Sequence, residues 1–173
     1  MSAIGELSDA LNTPHTPAQG DPRIVSLVPS LTELLCDLGL ADNLIGRSGF
    51  CIHPREVVKR IPKMGGTKDA DIEKIRAAAP THLVVNIDEN RREQVDELAR
   101  FVPHVIVTHP NTPEDNLDLF RLFGQITGDP DFDLKDDSRR EIGIQTASVF
   151  DLVAHSRRVR GNRSSCVSFD SLR

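Results

Sequence analysis

Short apolar runs alternate with amphipathic stretches from Arg23 onward. The apolar runs predict buried strands at residues 24–28, 44–46, 82–85 and 105–107. Apolar residues at helical spacing predict helices at 31–38, 56–59, 90–101 and 112–128. A further helix carries Ile72 and Ile75, begins at Asp69 or Asp71 and is ended by Pro80. This alternation predicts an α/β fold with a parallel, Rossmann-like sheet, right-handed crossovers and helices on both faces.

The first strand–helix unit, residues 23–40, carries the most local information. Pro29 ends the apolar run, and Ser30 and Glu33 have the spacing of a capping box. Gly39 predicts the end of the helix. Such a unit directs backbone N–H groups at the carboxyl edge of the sheet, where ligands bind in open α/β folds. The same pattern is equally compatible with a structural unit that has no site.

Three loops are predicted to gather at that edge, at residues 29–30, 49–54 and 86–90. Phe50 lies in the second loop and is one of only seven aromatic residues in the chain. An exposed ring there would stack on a flat ligand, and the alternative is a ring folded inward. The stretch Gly65–Gly66–Thr67–Lys68 lacks the glycine spacing of a phosphate-binding loop, which argues against nucleotide binding.

Composition narrows the classes of function. The 173 residues suffice for one domain or slightly more, and the net charge of −5 argues against nucleic-acid binding. No run is long and apolar enough to span a bilayer. The odd count of three cysteines argues against a disulfide framework. Cys51 and His53 form a C-x-H pair without a second pair, so no metal site is predicted.

The two ends of the chain differ from its middle. Residues 1–21 are polar and predict a flexible leader without the features of a secretory signal. A cytoplasmic protein is expected if the sequence is complete as given. Residues 129–173 predict an atypical tail, with one helix at 142–153 followed by an irregular, solvated stretch rich in arginine.

Five segments in order carry a family resemblance. They are VPSLTELL, GFCIHP, PKMGGTKDADIEKI, AAPTHLVVNIDENRREQVDEL and TPEDNLDLFRLFGQITG. Together they resemble the N-terminal lobe of class III solute-binding proteins, the receptors of ABC importers for vitamin B12, haem and iron siderophores. The cobalamin-binding group is most similar, and the resemblance covers residues 22–128.

The resemblance implies a solute-binding component of an importer for cobalamin or an iron chelate, with no enzymatic activity and no cofactor. The family fold has two Rossmann-like lobes that hold the ligand between them. Phe50 matches a position where the family places an aromatic ring against the corrin. Thr67 falls where some members have a tryptophan, and Ile87 falls near another aromatic position. With the edge residues Pro29, Ser30 and Asn86, these form the expected ligand face.

The resemblance also implies a partner and a compartment. Glu73 matches a glutamate on the lobe surface that docks onto arginines of the importer's membrane subunit. The family works in the periplasm. Because the resemblance includes only one lobe, a truncated or frame-shifted receptor is one interpretation. Weak or no binding of cobalamin by this chain alone is then expected, because ligand is covered on one side only.

Two alternatives stay open from the sequence. The first is a small cytosolic α/β enzyme that uses the same sheet edge, for which His53 and Asp88 are the candidate titratable pair. The second is a non-functional fragment that acts at most as an interaction module. It predicts a contiguous apolar patch where a second lobe would pack.

Overall fold

The computed structural model of the chain describes residues 8–127. Its sheet has four strands: β1 (Ile24–Ser26), β2 (Leu44–Arg47), β3 (His82–Asn86) and β4 (His104–Thr108). They are ordered β2-β1-β3-β4, and every neighbouring pair is parallel. The predicted parallel α/β fold is confirmed.

Five helices connect and flank the strands. They are α1 (Pro29–Asp37), α2 (Arg55–Val58), α3 (Ile72–Ala78), α4 (Arg92–Leu98) and α5 (Pro113–Thr127), with an unpredicted 3-10 turn at Ala41–Asn43. The predicted order of elements is confirmed, although α4 is shorter than its amphipathic pattern. No helix within residues 8–127 combines the length and the apolar character needed to cross a membrane.

The sheet buries both of its faces. Alternate strand residues, such as Val84 and Ile106, join one core cluster with apolar side chains of α1 and α5. Their neighbours Leu83, Val85 and Val107 join a second cluster with α3 and α4. Because side chains alternate along a strand, strands buried on both faces read as continuous apolar runs.

The start of α1 differs from the prediction. Val28 is the N-cap residue, with φ −122° and ψ 121°, and no side chain caps the helix. Pro29 is the first helical residue, which suits its fixed φ and its missing N–H. Ser30 therefore lies one residue inside the helix, and the predicted capping box is wrong.

Two other helix boundaries follow the sequence. Gly39 has φ +81°, and the N–H groups of Gly39 and Leu40 donate to the carbonyls of Cys36 and Leu35 at 3.0 and 2.8 Å. This is a Schellman motif, which favours glycine at the left-handed position. At α3, Asp71 is the N-cap, and its Oδ1 accepts from the Lys74 N–H at 3.1 Å.

The N-terminal segment 8–18 lies against β4 and α5. Ala10 N–H donates to the Val107 carbonyl at 2.9 Å, and Asp9 Oδ2 accepts from Val107 N–H at 3.1 Å. Ala18 N–H donates to the carbonyl of Ile126 at 2.9 Å. Since β4 is an edge strand, these bonds satisfy backbone groups that would otherwise be unpaired. The described part of the predicted leader is therefore attached to the sheet, and the predicted helix at 142–153 lies outside the described residues.

Candidate functional site

The carboxyl ends of the four parallel strands bring the predicted loops to one edge of the sheet. Ser48 N–H donates to the Ser26 carbonyl at 3.0 Å, which ties the turn after β2 to the end of β1. Ile87 N–H donates to the Thr108 carbonyl at 3.1 Å, which ties the turn after β3 to the end of β4. Pro29 and Ser30 are half-buried at the start of α1, on the same edge.

Three loops at this edge form one hydrogen-bonded structure, which we call the rim (residues 48–54, 65–68 and 86–90). Gly49 N–H donates to the Gly65 carbonyl at 2.7 Å. Asn90 Nδ2 donates to the Thr67 carbonyl at 2.7 Å, while Asn90 Oδ1 accepts from Asn86 N–H at 2.8 Å. Loops that are distant in sequence are thereby held in a fixed relation to one another.

Two large apolar side chains of the rim face solvent. Phe50 is 62% exposed and Ile52 is 65% exposed, the highest values among the large hydrophobic side chains that the structure describes. The alternative in which Phe50 folds inward is therefore wrong. Ile52 is not among the residues predicted from the sequence, although its position in a loop and outside any apolar period was a usable signal.

The other candidate residues are already engaged in the fold. Asn86 Oδ1 accepts from Asp88 N–H at 2.9 Å, and Asn86 Nδ2 lies 3.4 Å from Thr108 Oγ1. Ile87 packs against the core cluster shared by α3 and α4. Thr67 is half-buried and presents its carbonyl to Asn90. Phe50 and Ile52 thus offer the apolar contact surface, while these residues support it.

A buried polar cluster surrounds the thiol of Cys51, the residue after Phe50. Thr32 Oγ1 is 2.9 Å from Ser26 Oγ and 3.0 Å from Cys51 Sγ, and Ser48 Oγ is 3.2 Å from the same sulfur. Cys51 is only 1% exposed, whereas His53 is exposed. Within residues 8–127, no three His, Cys, Asp or Glu side chains are grouped so that they could hold a metal ion.

One functional candidate was missed by the sequence analysis. Arg47 ends β2 and is buried at 6% exposure. Its Nε donates to the Val58 carbonyl at 2.7 Å, and its Nη1 donates to the carbonyls of Ser48 and Cys51 at 3.1 and 2.9 Å. A basic residue after an apolar strand gives no sequence signal of burial, because arginine is usually exposed.

The charged candidate residues near the rim are exposed. Asp88 Oδ2 lies 3.6 Å from His109 Nδ1, and His53 is an exposed residue of the rim. Glu73 stands in the first turn of α3 with its side chain 81% exposed, 3.6 Å from Arg76 Nε. It is therefore accessible to a partner.

A cavity of about 290 Å³ opens between the N-terminal segment and the start of α5. Val107, Leu119 and Leu122 form its apolar wall. Asp115 also lines it, and backbone N–H groups of Asn111 and Thr112 hold the pKa of that carboxyl below its usual range. The volume is at the lower limit of small-molecule sites, roughly 300–1,000 Å³, so the cavity is too small for a large ligand.

Comparison with known proteins gives one family and a consistent set of relatives. Residues 24–135, more than half of the chain, match the family described as periplasmic binding protein. The chain is 30% identical over 101 residues to the vitamin B12-binding protein of Photorhabdus laumondii, covering 58% of this chain and 36% of that protein. It is 32% identical over 83 residues to the vitamin B12-binding protein of Yersinia pestis, covering 48% and 29%.

Solved structures share the fold at lower identity. The periplasmic vitamin B12 binding protein BtuF of Vibrio cholerae has a TM-score of 0.58 at 20% identity, over 80% of this chain and 50% of that one. The periplasmic heme-binding protein RhuT of Roseiflexus has a TM-score of 0.58 at 21% identity, over 83% and 52%. The chain therefore spans about a third of the curated relatives and about half of these solved structures.

Proposed function

Because this chain belongs to the periplasmic binding protein family, we propose that it binds a small molecule for import and seats that ligand on the rim. The observation that carries the proposal is the solvent-facing pair Phe50 and Ile52, held at the carboxyl edge of a parallel sheet. Exposed apolar surface is costly unless something covers it, and a flat ring suits a flat ligand. The family is one of binding proteins, which favours this reading over the enzyme that the sequence left open.

For the ligand we propose a corrinoid or an iron-bearing macrocycle. Relatives of this chain are vitamin B12-binding proteins, and a solved structure with the same fold is a heme-binding protein. Both ligands are broad, flat ring systems, which match an open rim bearing an aromatic side chain better than an enclosed cavity. The described residues present one side of such a site, so we expect a Kd weaker than about 1 µM.

A titration followed residue by residue by NMR tests this proposal at weak affinity. Addition of cyanocobalamin is expected to shift the amide signals of residues 48–54 and 65–68, and to leave those around His82 unchanged. Phe50→Ala should weaken this response, whereas Lys59→Ala, at an exposed residue outside the rim, should keep it. A titration with haemin, read by Soret absorbance, compares the two ligand classes. Shifts centred on His82, or no response to either ligand, would overturn the proposal.

For the partner we propose the membrane subunits of an ABC importer, contacted through Glu73. The exposed carboxylate at the start of α3 suits a charge-assisted pair with an arginine on that partner. Glu73→Arg is expected to reduce co-purification with the importer. Glu56→Arg is the matched control, since Glu56 is also exposed and also pairs with a base three residues away. Equal loss in both variants would count against a specific docking role.

For the compartment we propose the periplasm, in keeping with the family. We also propose that the protein itself uses no resident cofactor, because the proposed macrocycle is cargo. The predicted domain limit at residue 22 should be tested with two versions of the protein, one that begins before Asp9 and one that begins after Asp21. The shorter one is expected to lose stability, since it lacks the contacts of segment 8–18 with β4.

A further inference from the structure

The loop that carries Phe50 and Ile52 is held from inside by one side chain. Arg47 Nε and Nη1 donate to three backbone carbonyls, those of Ser48, Cys51 and Val58, at 2.7–3.1 Å. The first and last of these residues flank the exposed pair along the chain. A single guanidinium thus connects the two ends of the loop to the end of β2.

Burial of the Arg47 guanidinium has a cost in free energy that other interactions must offset. Arg47 takes part in no ion pair among residues 8–127, although it is buried. A buried cation loses hydration, which charge-assisted hydrogen bonds to the carbonyls offset. The planar guanidinium donates in several fixed directions, which the compact ammonium group of lysine does not reproduce.

We propose that Arg47 is a positioning residue for ligand binding, which fixes the 48–58 loop so that Phe50 and Ile52 stand on the rim. The part of this inference that concerns ligand binding rests on the proposed function. The part that concerns the conformation of the loop rests only on the three hydrogen bonds of Arg47. Loss of the guanidinium removes these side-chain bonds and leaves the Ser48–Ser26 and Gly49–Gly65 backbone bonds and the Thr32–Ser48–Cys51 contacts to hold the loop.

The reactivity of the Cys51 thiol measures opening of the loop in the absence of ligand. Cys51 belongs to the loop and is buried, so a thiol reagent reaches it only when the loop opens or the whole protein unfolds. Cys36→Ala and Cys166→Ser in the full chain leave Cys51 as the single thiol. The rate of reaction with Ellman's reagent is then measured at increasing, non-denaturing concentrations of urea.

The expected result separates local opening from global unfolding. In the parent protein the rate should rise steeply with urea, because exposure of Cys51 follows global unfolding. In Arg47→Met the rate without urea should be at least ~10-fold higher and nearly independent of urea, as for local opening. Arg47→Lys should fall between the two, and it carries the test if Arg47→Met does not fold. Arg60→Met, at an exposed arginine in the same region, should behave as the parent.

The ligand arm uses cyanocobalamin and the NMR titration. Arg47→Met should weaken binding by ~10-fold or more, and Arg60→Met should not change it. Phe50→Ala should weaken binding without changing the thiol rate. If the parent binds neither cyanocobalamin nor haemin, the proposed function fails, and the thiol rates alone decide whether Arg47 holds the loop. If Arg47→Met keeps the parent's thiol rate and urea dependence, the inference is overturned.

Discussion

The rim and a second region of the molecule both contain buried polar side chains, but these side chains have opposite roles in the two regions. In the second region, which we call the closed side (residues 8–18 with β4 and the amino end of β3), polar groups seal the structure. His82 is buried and stacks on His104, with ring centroids 4.8 Å apart. At the rim, buried Arg47 and Thr32 instead support a loop whose apolar side chains face water. One region is closed to solvent, and the other presents apolar side chains to it.

The charges of the closed side show how it is sealed. Burial alone would raise the pKa of Asp9, but hydrogen bonds from His15 and from the N–H groups of Thr13, Val107 and Leu11 outweigh it and hold that pKa below its ordinary value. Burial, together with neighbouring His104 and His15, lowers the pKa of His82 to about 4. The closed side thus favours a charged carboxylate and a neutral imidazole.

The largest expected effect comes from removing the Asp9 carboxylate. Asp9→Ala leaves backbone N–H groups of the N-terminal segment and of β4 without their acceptor, so the free energy of unfolding should fall by about 3 kcal/mol. Urea denaturation measures this loss. Asp118→Ala, which removes an exposed ion pair with Arg121, should cost less than ~0.5 kcal/mol. An equal effect of the two substitutions would contradict the proposed sealing of the closed side.

Acid should weaken the closed side next. Because the pKa of His82 is lowered in the folded protein, the unfolded chain takes up a proton at this side chain at a higher pH than the folded protein does. The stability that the neutral His82 contributes above about pH 6.5 is therefore lost as the pH falls toward 4. Between pH 7 and pH 5 the free energy of unfolding should drop by about 2 kcal/mol from this group. Protonation of Asp9 lowers the free energy of unfolding further when the pH falls below the ordinary pKa of an aspartate.

The matched variants for the acid effect are His82→Phe and His53→Gln. His82→Phe removes the titrating group while keeping a buried ring, so its stability should depend less on pH over this range. His53 is exposed, and its replacement should leave the parent's pH profile unchanged. A profile that is the same in all three proteins would assign the acid sensitivity to other groups.

A smaller effect is expected in the support beneath the rim. Thr32→Val keeps the shape of the side chain but removes the hydroxyl that contacts Ser26 and Cys51. The cost should be about 1 kcal/mol, and the Cys51 thiol should become modestly more reactive. Thr112→Val, at an exposed threonine, is the control for the thiol rate. An unchanged thiol rate in Thr32→Val would show that the hydroxyl does not help to hold the loop.

The smallest effect on stability is expected at the rim surface itself. Because Phe50 is 62% exposed, Phe50→Ser should change the free energy of unfolding by no more than ~0.5 kcal/mol. Calorimetric melting measures this change. A loss of several kcal/mol would show that the ring packs into the fold rather than serving a ligand.

The candidate site could be predicted from sequence only in part. The alternation of elements brought residues 29–30, 49–54 and 86–90 to one edge, because parallel strands place their carboxyl ends together. Phe50 stood out because its loop gave it no place in an apolar period. Arg47 and Asn90 did not stand out, since the bonds that define them join residues up to 23 positions apart. No local pattern encodes such contacts.

The sequence by itself determined the order of strands and helices, the parallel sheet and the end of α1 at Gly39, and it limited the start of α3 to Asp69 or Asp71. These features depend on apolar period, on the φ that glycine allows and on a side chain that caps its own helix. The tertiary structure alone decided that α1 begins at Pro29 without a side-chain cap, that segment 8–18 covers β4 and that Arg47 is buried. Each of these features depends on contacts between residues that only folding brings together. The free energy of such contacts cannot be predicted from a short stretch of neighbouring residues.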